Sequence, residues 1–365
     1  YADPYMLVKA PDVDAVFICS PDQYHADYAL AAIEAGKHVF VEKPVTLCIE
    51  DLEKLIAAEK AHPELVCMVG YMRRYSQGFL KCKELLASDD RKIEYMRFRD
   101  IILEGDFFMD QTRPPYLCSD ISDEVKAESS SRRRDQITRA LGNDCTDQQR
   151  TTYVMLTGLG CHTLAAVREL VGLPVEVESV SVQGEHVIIV FRYNDFLAVY
   201  EILNDQDVVQ FDAAIEIYQH DRRMKIKYET PYLRYQPHTF EVIESTKKDT
   251  KTTLYGPDYR DPFQDEVQYF HDCIANGTTP KSDFADAMAD LVLFREICGK
   301  IKKLMKSTLL QEYIAQQPAL WRALLDSREE ITAEFSRRFG GFQPDRVILV
   351  GSGSSHYAAL MARRF

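Results

Sequence analysis

Val39-Phe40-Val41-Glu42-Lys43-Pro44 decides the reading of this chain: an apolar strand runs straight into an acid, a lysine and a proline. Apolar residues on both faces of a short strand predict a parallel sheet covered on both sides. The charged tripeptide then falls at the strand's carboxyl end, where open α/β sheets place their ligands. A proline there can hold a cis bond or a rigid turn and so fix the direction of the lysine. A lysine at the floor of a crevice suits general acid/base work.

The flanking sequence extends the pattern. Asp14-Ala15-Val16-Phe17-Ile18-Cys19-Ser20-Pro21 is a second buried strand, ending in a small polar residue and proline. Residues 24–35 are Ala-rich and predict a helix, with Gly36 as its stop. Strand, crossover helix and strand make a βαβ unit, right-handed by default. Taken in order, Ser20, Pro21, His25, Ala35-Gly36-Lys37-His38-Val39 and Glu42-Lys43-Pro44 make residues 12–60 similar to the Gfo/Idh/MocA family of sugar and cyclitol oxidoreductases. The resemblance implies NAD or NADP as cofactor and hydride transfer between nicotinamide and a sugar or cyclitol hydroxyl. It gives Lys43 the proton exchange, and cofactor contacts to Ser20, Pro21, His25, Glu42 and Pro44. For His25, capping of the preceding turn is an equal alternative.

A dinucleotide-binding domain opens with a strand, Gly-x-Gly-x-x-Gly, a helix and a second strand bearing an acid. Nothing of that kind precedes residue 12. The resemblance therefore implies that a first βαβ unit, on the order of thirty residues, is absent from this sequence.

The 365 residues are enough for two or more domains. A net charge of −13 argues against a general nucleic-acid surface or an anionic-membrane binder. Nine cysteines without a Cys-x-x-Cys pair predict free thiols in a reducing cytosol and no metal site. No run of eighteen apolar residues occurs, so no membrane span is expected.

Further along, helices are expected over 50–61 and 77–87, strands over 65–71 and 93–103. Met72-Arg73-Arg74-Tyr75 resembles the family's strand-exit segment with its arginine pair, and Tyr71, Arg74 and His238 are candidate substrate contacts, with a structural salt bridge or a core aromatic the alternative for each. The polar stretch 104–150 reads as a lid over the substrate cleft or as a disordered excursion, with Arg132-Arg133-Arg134 in a solvated loop. Period-2 alternation from 175 to about 254 predicts an antiparallel sheet with one face on the core, followed by helices over 262–276 and 283–304.

Residues 153–171 read as helix, with Gly158-Leu159-Gly160-Cys161-His162 near its start. The family motif there is Asp, Gly two residues on, His four on, and a second Asp three after the His. Gly160 and His162 match, whereas Gly158 and Ala165 occupy the two Asp positions. By the motif His162 is the second catalytic candidate; a non-catalytic sugar-binding remnant is an alternative, suggested by the two departures.

After residue 307 the pattern changes. A Glu-x-x-x-Gln-Gln-Pro helix and then Val347-Ile348-Leu349-Val350-Gly351-Ser352-Gly353-Ser354-Ser355 resemble the opening of a sugar isomerase (SIS) domain, as in the isomerase half of glucosamine-6-phosphate synthase. The resemblance implies sugar-phosphate contacts from Gly353, Ser354 and Ser355, and a competing function as sugar-phosphate isomerase or deglycase. Met305-Lys306-Ser307 looks like a protein start, so two reading frames joined into one chain are expected, with a genuine bifunctional enzyme as the alternative.

The expected fold class is α/β: a partial Rossmann-like parallel sheet over 1–103, the polar insertion 104–150, an α+β domain with a large open, mostly antiparallel sheet over 151–306, and a truncated α/β SIS fragment over 307–365. The expected partners are a sugar or cyclitol and, through the second-domain sheet, a further copy of the chain.

Overall fold

The computed structural model describes residues 1, 3–102, 105–112, 118–204, 211–301 and scattered positions between 318 and 340. The chain divides into two compact units, Tyr1–Lys303 and Leu304–Phe365. In the first, α1 (Pro4–Leu7) leads to β1 (Ala15–Ile18), α2 (His25–Glu34), β2 (His38–Glu42), α3 (Ile49–Ala61) and β3 (Cys67–Gly70). The three strands pair in parallel in the order β1-β2-β3, with Val16 opposite Val39 and Val39 opposite Cys67. Both faces of β2 are covered, as its sequence requires. Ala29, Ala32, Ile33, Leu52 and Leu55 close one side; on the other, Phe40 stacks on Phe17 and meets the edge of Phe270. Gly36 ends the α2 turn at φ +72°, a conformation glycine adopts at little cost.

A short 3₁₀ turn (Met72–Tyr75) and α4 (Gln77–Ala87) precede β4 (Ile93–Ile102), α5 (Asp106–Asp110), α6 (Asp123–Leu141), α7 (Asp147–Met155) and α8 (Cys161–Val171). Then come β5 (Glu176–Gln183), β6 (His186–Arg192), β7 (Leu197–Asn204), β8 (Asp212–Gln219), β9 (Arg222–Tyr228), β10 (His238–Ser245) and β11 (Thr250–Asp258), closed by α9 (Pro262–Asn276) and α10 (Phe284–Lys300). The large sheet has the order β11-β10-β9-β8-β4-β7-β6-β5. Its pairings are antiparallel except β4 with β7.

Two expectations are corrected here. The strand at 93–103 does not extend the small parallel sheet; it is a central strand of the large one, flanked by β7 and β8. Alternation marks a half-buried strand but carries no address for its partners. The stretch 104–150 is also not an excursion where it is described. Its α6 is capped by Ser122 and lies against the half built on the small parallel sheet, burying Gln136, Ile137 and Ala140. The arginines expected in a solvated loop are its anchors: Arg132 pairs with Asp27, Arg133 with Asp22 at 3.1 Å and Arg139 with Asp51 at 2.6 Å.

The segment Asp147–Val171 is one helix of 25 residues, long and apolar enough by composition to cross a bilayer. More than half of its apolar window is buried inside the protein, and it carries Arg168 and Glu169 in ion pairs. It is the core helix of this unit, packed on the Tyr200 and Ile202 face of the large sheet. All nine cysteines are free, and six of them, Cys48, Cys67, Cys82, Cys161, Cys273 and Cys298, are buried.

Candidate active site

The site grows from the carboxyl ends of β1 and β2. Past β1 the chain turns through Cys19-Ser20-Pro21; past β2 it turns through Lys43-Pro44, whose peptide bond is cis. His25, the first residue of α2, is buried between these turns. Its Nδ1 lies 2.8 Å from the Pro44 carbonyl and its Nε2 2.7 Å from the Ser20 carbonyl, so one imidazole ties the two strand ends together. His25 therefore braces the turn and also lines the cleft.

That cleft encloses ≈ 620 Å³ and brings together Ser20, Pro21, His25, Glu42 and Pro44 with Lys43. Its far wall is Ser129, Ser130 and Arg133 of α6, which the sequence reading missed. Ser20 Oγ is buried there without a hydrogen-bond partner. Burial pushes the Glu42 carboxyl up from its ordinary range, an effect the Lys43 charge partly reverses.

Lys43 stands at the seam with a second cavity. Its Nζ donates to the Gly158 carbonyl at 2.5 Å, and both residues line both cavities. The second cavity encloses ≈ 360 Å³ under the core helix and the large sheet, and His162 lines it with Lys43. Between α7 and α8, residues Leu156–Gly160 form a π-helical turn. Such widened turns recur at functional sites, where they re-aim groups without ending the helix. At Gly158 a Cβ would meet nothing within 4 Å, so the helix wall is open beside Lys43. His162 Nδ1 is buried and has no partner. Burial, with Lys43 and Arg73 adding to it, holds the imidazole well below its ordinary range, so it is neutral.

Arg73 is the residue that sequence reasoning passed over in favour of its neighbour. It lines the second cavity, donates from Nη1 to Asp100 at 2.6 Å and to Thr163 Oγ1 at 2.5 Å, and lies 4.9 Å over the Tyr228 ring. Asp100, fully buried on β4, also accepts from Tyr200 Oη at 2.7 Å. The signal was the arginine pair itself, read one residue too late.

Tyr71 and Arg74 are corrected to structural roles. The Tyr71 hydroxyl donates to Asp290 at 2.8 Å in the core, and the ring is 2 % exposed. Arg74 pairs with Glu169 and, at 2.5 Å, with Asp286, behind α8 and away from both cavities. Consecutive residues of a tight turn point to different sides, which separates Arg73 from Arg74. His238 lies in a smaller neighbouring pocket that shares Met72 and Arg73 with the second cavity; burial pushes its imidazole down. Gly353, Ser354 and Ser355 lie outside the described residues. Among the described residues, no cluster of three His, Cys, Asp or Glu could hold a metal ion.

Comparison with known proteins adds a family to this geometry. Residues 1–71 match the family model GFO_IDH_MocA, oxidoreductase family, NAD-binding Rossmann fold. The inositol 2-dehydrogenase of Pseudomonas savastanoi pv. phaseolicola is 44 % identical over 88 residues, which are 24 % of this chain and 26 % of that protein. The inositol 2-dehydrogenase/D-chiro-inositol 3-dehydrogenase of Halalkalibacterium halodurans is 46 % identical over 93 residues, 26 % of each. The chain thus spans about a quarter of the length of the curated relatives it matches. Likeness of fold extends further. The crystal structure of myo-inositol 2-dehydrogenase from Lactobacillus plantarum superposes with a TM-score of 0.57 at 18 % identity, over 82 % of this chain and 81 % of that one. The UDP-N-acetylglucosamine 3-dehydrogenase of Acidithiobacillus ferrooxidans gives 0.58 at 18 % identity, over 82 % of each.

Proposed function

We propose that the unit Tyr1–Lys303, whose first 71 residues carry the oxidoreductase match, acts as an NAD(P)-dependent dehydrogenase of a sugar or cyclitol hydroxyl. The observation that carries this reading is the position of Lys43 at the seam of two cavities, one at the strand ends and one under the core helix. The strand-end cleft fits a nicotinamide group: it lies where open α/β sheets hold ligands, and the unpartnered Ser20 Oγ with Gln23, Ser129 and Ser130 offers the hydrogen bonds an amide takes. When bound, the nicotinamide ring supplies the hydride acceptor.

The chain's own residues do the rest. The substrate sits in the ≈ 360 Å³ cavity, a size in the usual range for small-molecule sites. Lys43 Nζ, released from the Gly158 carbonyl, takes the hydroxyl proton in its neutral amine form as the carbon gives up its hydride and passes that proton on to solvent; the alcohol becomes a carbonyl. The neutral His162, with Nδ1 free, accepts a hydrogen bond from a second hydroxyl of the substrate and so orients the reacting one. Arg73 stays fixed on Asp100 and shapes the cavity floor.

Nicotinamide reduction by the full chain with a panel of sugars and cyclitols tests the reading, run beside Lys43→Ala. Reduction that survives the substitution unchanged would remove Lys43 from the mechanism; binding without reduction would favour a non-catalytic sugar-binding protein. A second reading applies to Leu304–Phe365 alone, where a compact unit begins close to the change in sequence pattern. We assign it to the opening of a SIS domain on the Gly-Ser run at 351–355, and fructose 6-phosphate that leaves the unfolding of the full chain unchanged would sink it.

A further inference from the structure

The cavity under the core helix carries charge of one sign. Among its described lining residues, the groups charged near neutrality are Lys43 and Arg73, beside the neutral His162; no carboxylate is among them. Arg73 is balanced from behind by Asp100, which is itself fully buried and spends its second oxygen on Tyr200. Lys43 has no such balance from within this cavity: its Nζ donates to the neutral Gly158 carbonyl, and the carboxylate whose field it shares, Glu42, lies on the strand-end side. His162 registers the same field, because Lys43 and Arg73 both press it toward the neutral form.

The walls sharpen the effect. Met72, Ile102, Met155, Leu159 and Phe211 line the cavity and are apolar, so few polar side chains there compete with a ligand for the cation. A charge in such surroundings gains most from an opposite charge brought to it. Gly158 supplies the room, since no atom lies within 4 Å of the place its Cβ would take. This cationic cavity sits in a chain whose net charge is −13, so it is not a consequence of overall composition.

We propose that the ligand of this cavity carries an anionic group, a carboxylate or a phosphate ester on a hydroxylated carbon skeleton, seated against Lys43 and Arg73 where Gly158 leaves the helix wall open. The preference for negative charge rests on the dehydrogenase reading only for the reaction that follows binding. A neutral polyol of the same shape leaves the Lys43 charge uncompensated and binds more weakly. Placing a carboxylate on the helix at Gly158 would supply the missing balance from the protein side and remove the preference.

Titration calorimetry of the full chain tests this with three probes of one skeleton: D-glucuronate, D-glucose 6-phosphate and D-glucose. At least one anion is expected to bind about tenfold tighter than glucose, as electrostatic complementarity gives. Which anion wins separates carboxylate from phosphate. Gly158→Asp is expected to erase most of that preference, whereas Gly158→Asn, equal in size and uncharged, keeps it. Equal affinities for all three probes, no binding by either anion, or a preference that survives Gly158→Asp would overturn the proposal. Because binding is read without turnover, a charge preference without any nicotinamide reduction would sink the dehydrogenase reading and leave this one standing.

Discussion

The two cavities that meet at Lys43 are walled by different kinds of structure. The strand-end cleft is made of main-chain turns after β1 and β2, cross-tied by the His25 ring, and it mixes Glu42 and Asp22 with Lys43 and Arg133. The cavity under the core helix is made of side chains from a helix, a 3₁₀ turn and a sheet, and each charged group there is held by a partner from another element. The first kind of site is written along the chain, because a strand end and its turn are contiguous. The second is written across it.

Lys43 belongs to both cavities, so its loss should have the largest effect. Lys43→Ala is expected to lower kcat/KM by about 10²- to 10⁴-fold, the usual weight of a positioned acid/base group, with ligand binding measurable throughout. Activity near that of the parent would mean that the seam is only a wall.

Next in size is Asp100→Ala, which strikes the cross-chain cavity alone. It strands the Arg73 guanidinium, 4 % exposed, without its counter-charge. Removing one partner of a buried pair costs about 3–5 kcal/mol, read as a lower denaturation midpoint. A loss below about 1 kcal/mol would show that water reaches Arg73 and that the pair behaves as a surface one.

The same contrast explains what the sequence made legible. The parallel strands, α2 with its Gly36 stop, α4 and the five cleft residues from Ser20 to Pro44 could be read directly, since periodicity and the strand-end motif are local properties. Arg73 could not be told from Arg74, because the choice depends on Asp100 on β4 against Glu169 on α8, 27 and 95 residues away. The polar α6 read as loop for a similar reason. Its face is held by Asp22, Asp27 and Asp51, far earlier in the chain, and no apolar stripe announces it. Sheet membership of β4 was equally silent, because alternation fixes which residues face inward but not which strands lie alongside.

A smaller effect is expected in acid, from the network that braces α8 behind His162. Burial alone would raise the Glu169 carboxyl, but Arg74, Lys281 and Lys83 outweigh it and bring it from 4.5 down to about 2. Burial meanwhile pushes Lys281 down to about 8 in spite of Glu169, so Arg74 is the main counter-charge. A carboxyl whose folded pKa lies below its unfolded one stabilises the fold above the unfolded value and loses that contribution as pH falls through the folded one. About 3 kcal/mol should therefore drain away between 4.5 and about 2, and Glu169→Gln should flatten that acid limb in pH-dependent denaturation. An acid limb of unchanged slope in the variant would place the loss on other carboxylates.

The smallest effect belongs to α6 on the strand-end side, and it separates two accounts of how that helix stays docked. If ion pairs hold it, Arg139→Ala should matter; if packing does, Ile137 and Ala140 should carry it. The Arg139–Asp51 pair at 2.6 Å has an arginine side chain 42 % exposed, so solvent screens most of its Coulomb attraction. Burial would raise the Asp51 carboxyl, while Arg139, Cys48 and Lys54 together draw it below its ordinary range, so the contact is real but shared. A double-mutant cycle with Asp51→Ala should return about 0.2–1 kcal/mol, shrinking as salt is added. Ile137 is 6 % exposed, and its truncation to Ala should cost about 2–5 kcal/mol if the site cannot collapse around the gap. A coupling energy above that of the Ile137 truncation would reverse the order and make the α6 wall of the strand-end cleft electrostatic, and hence removable by salt.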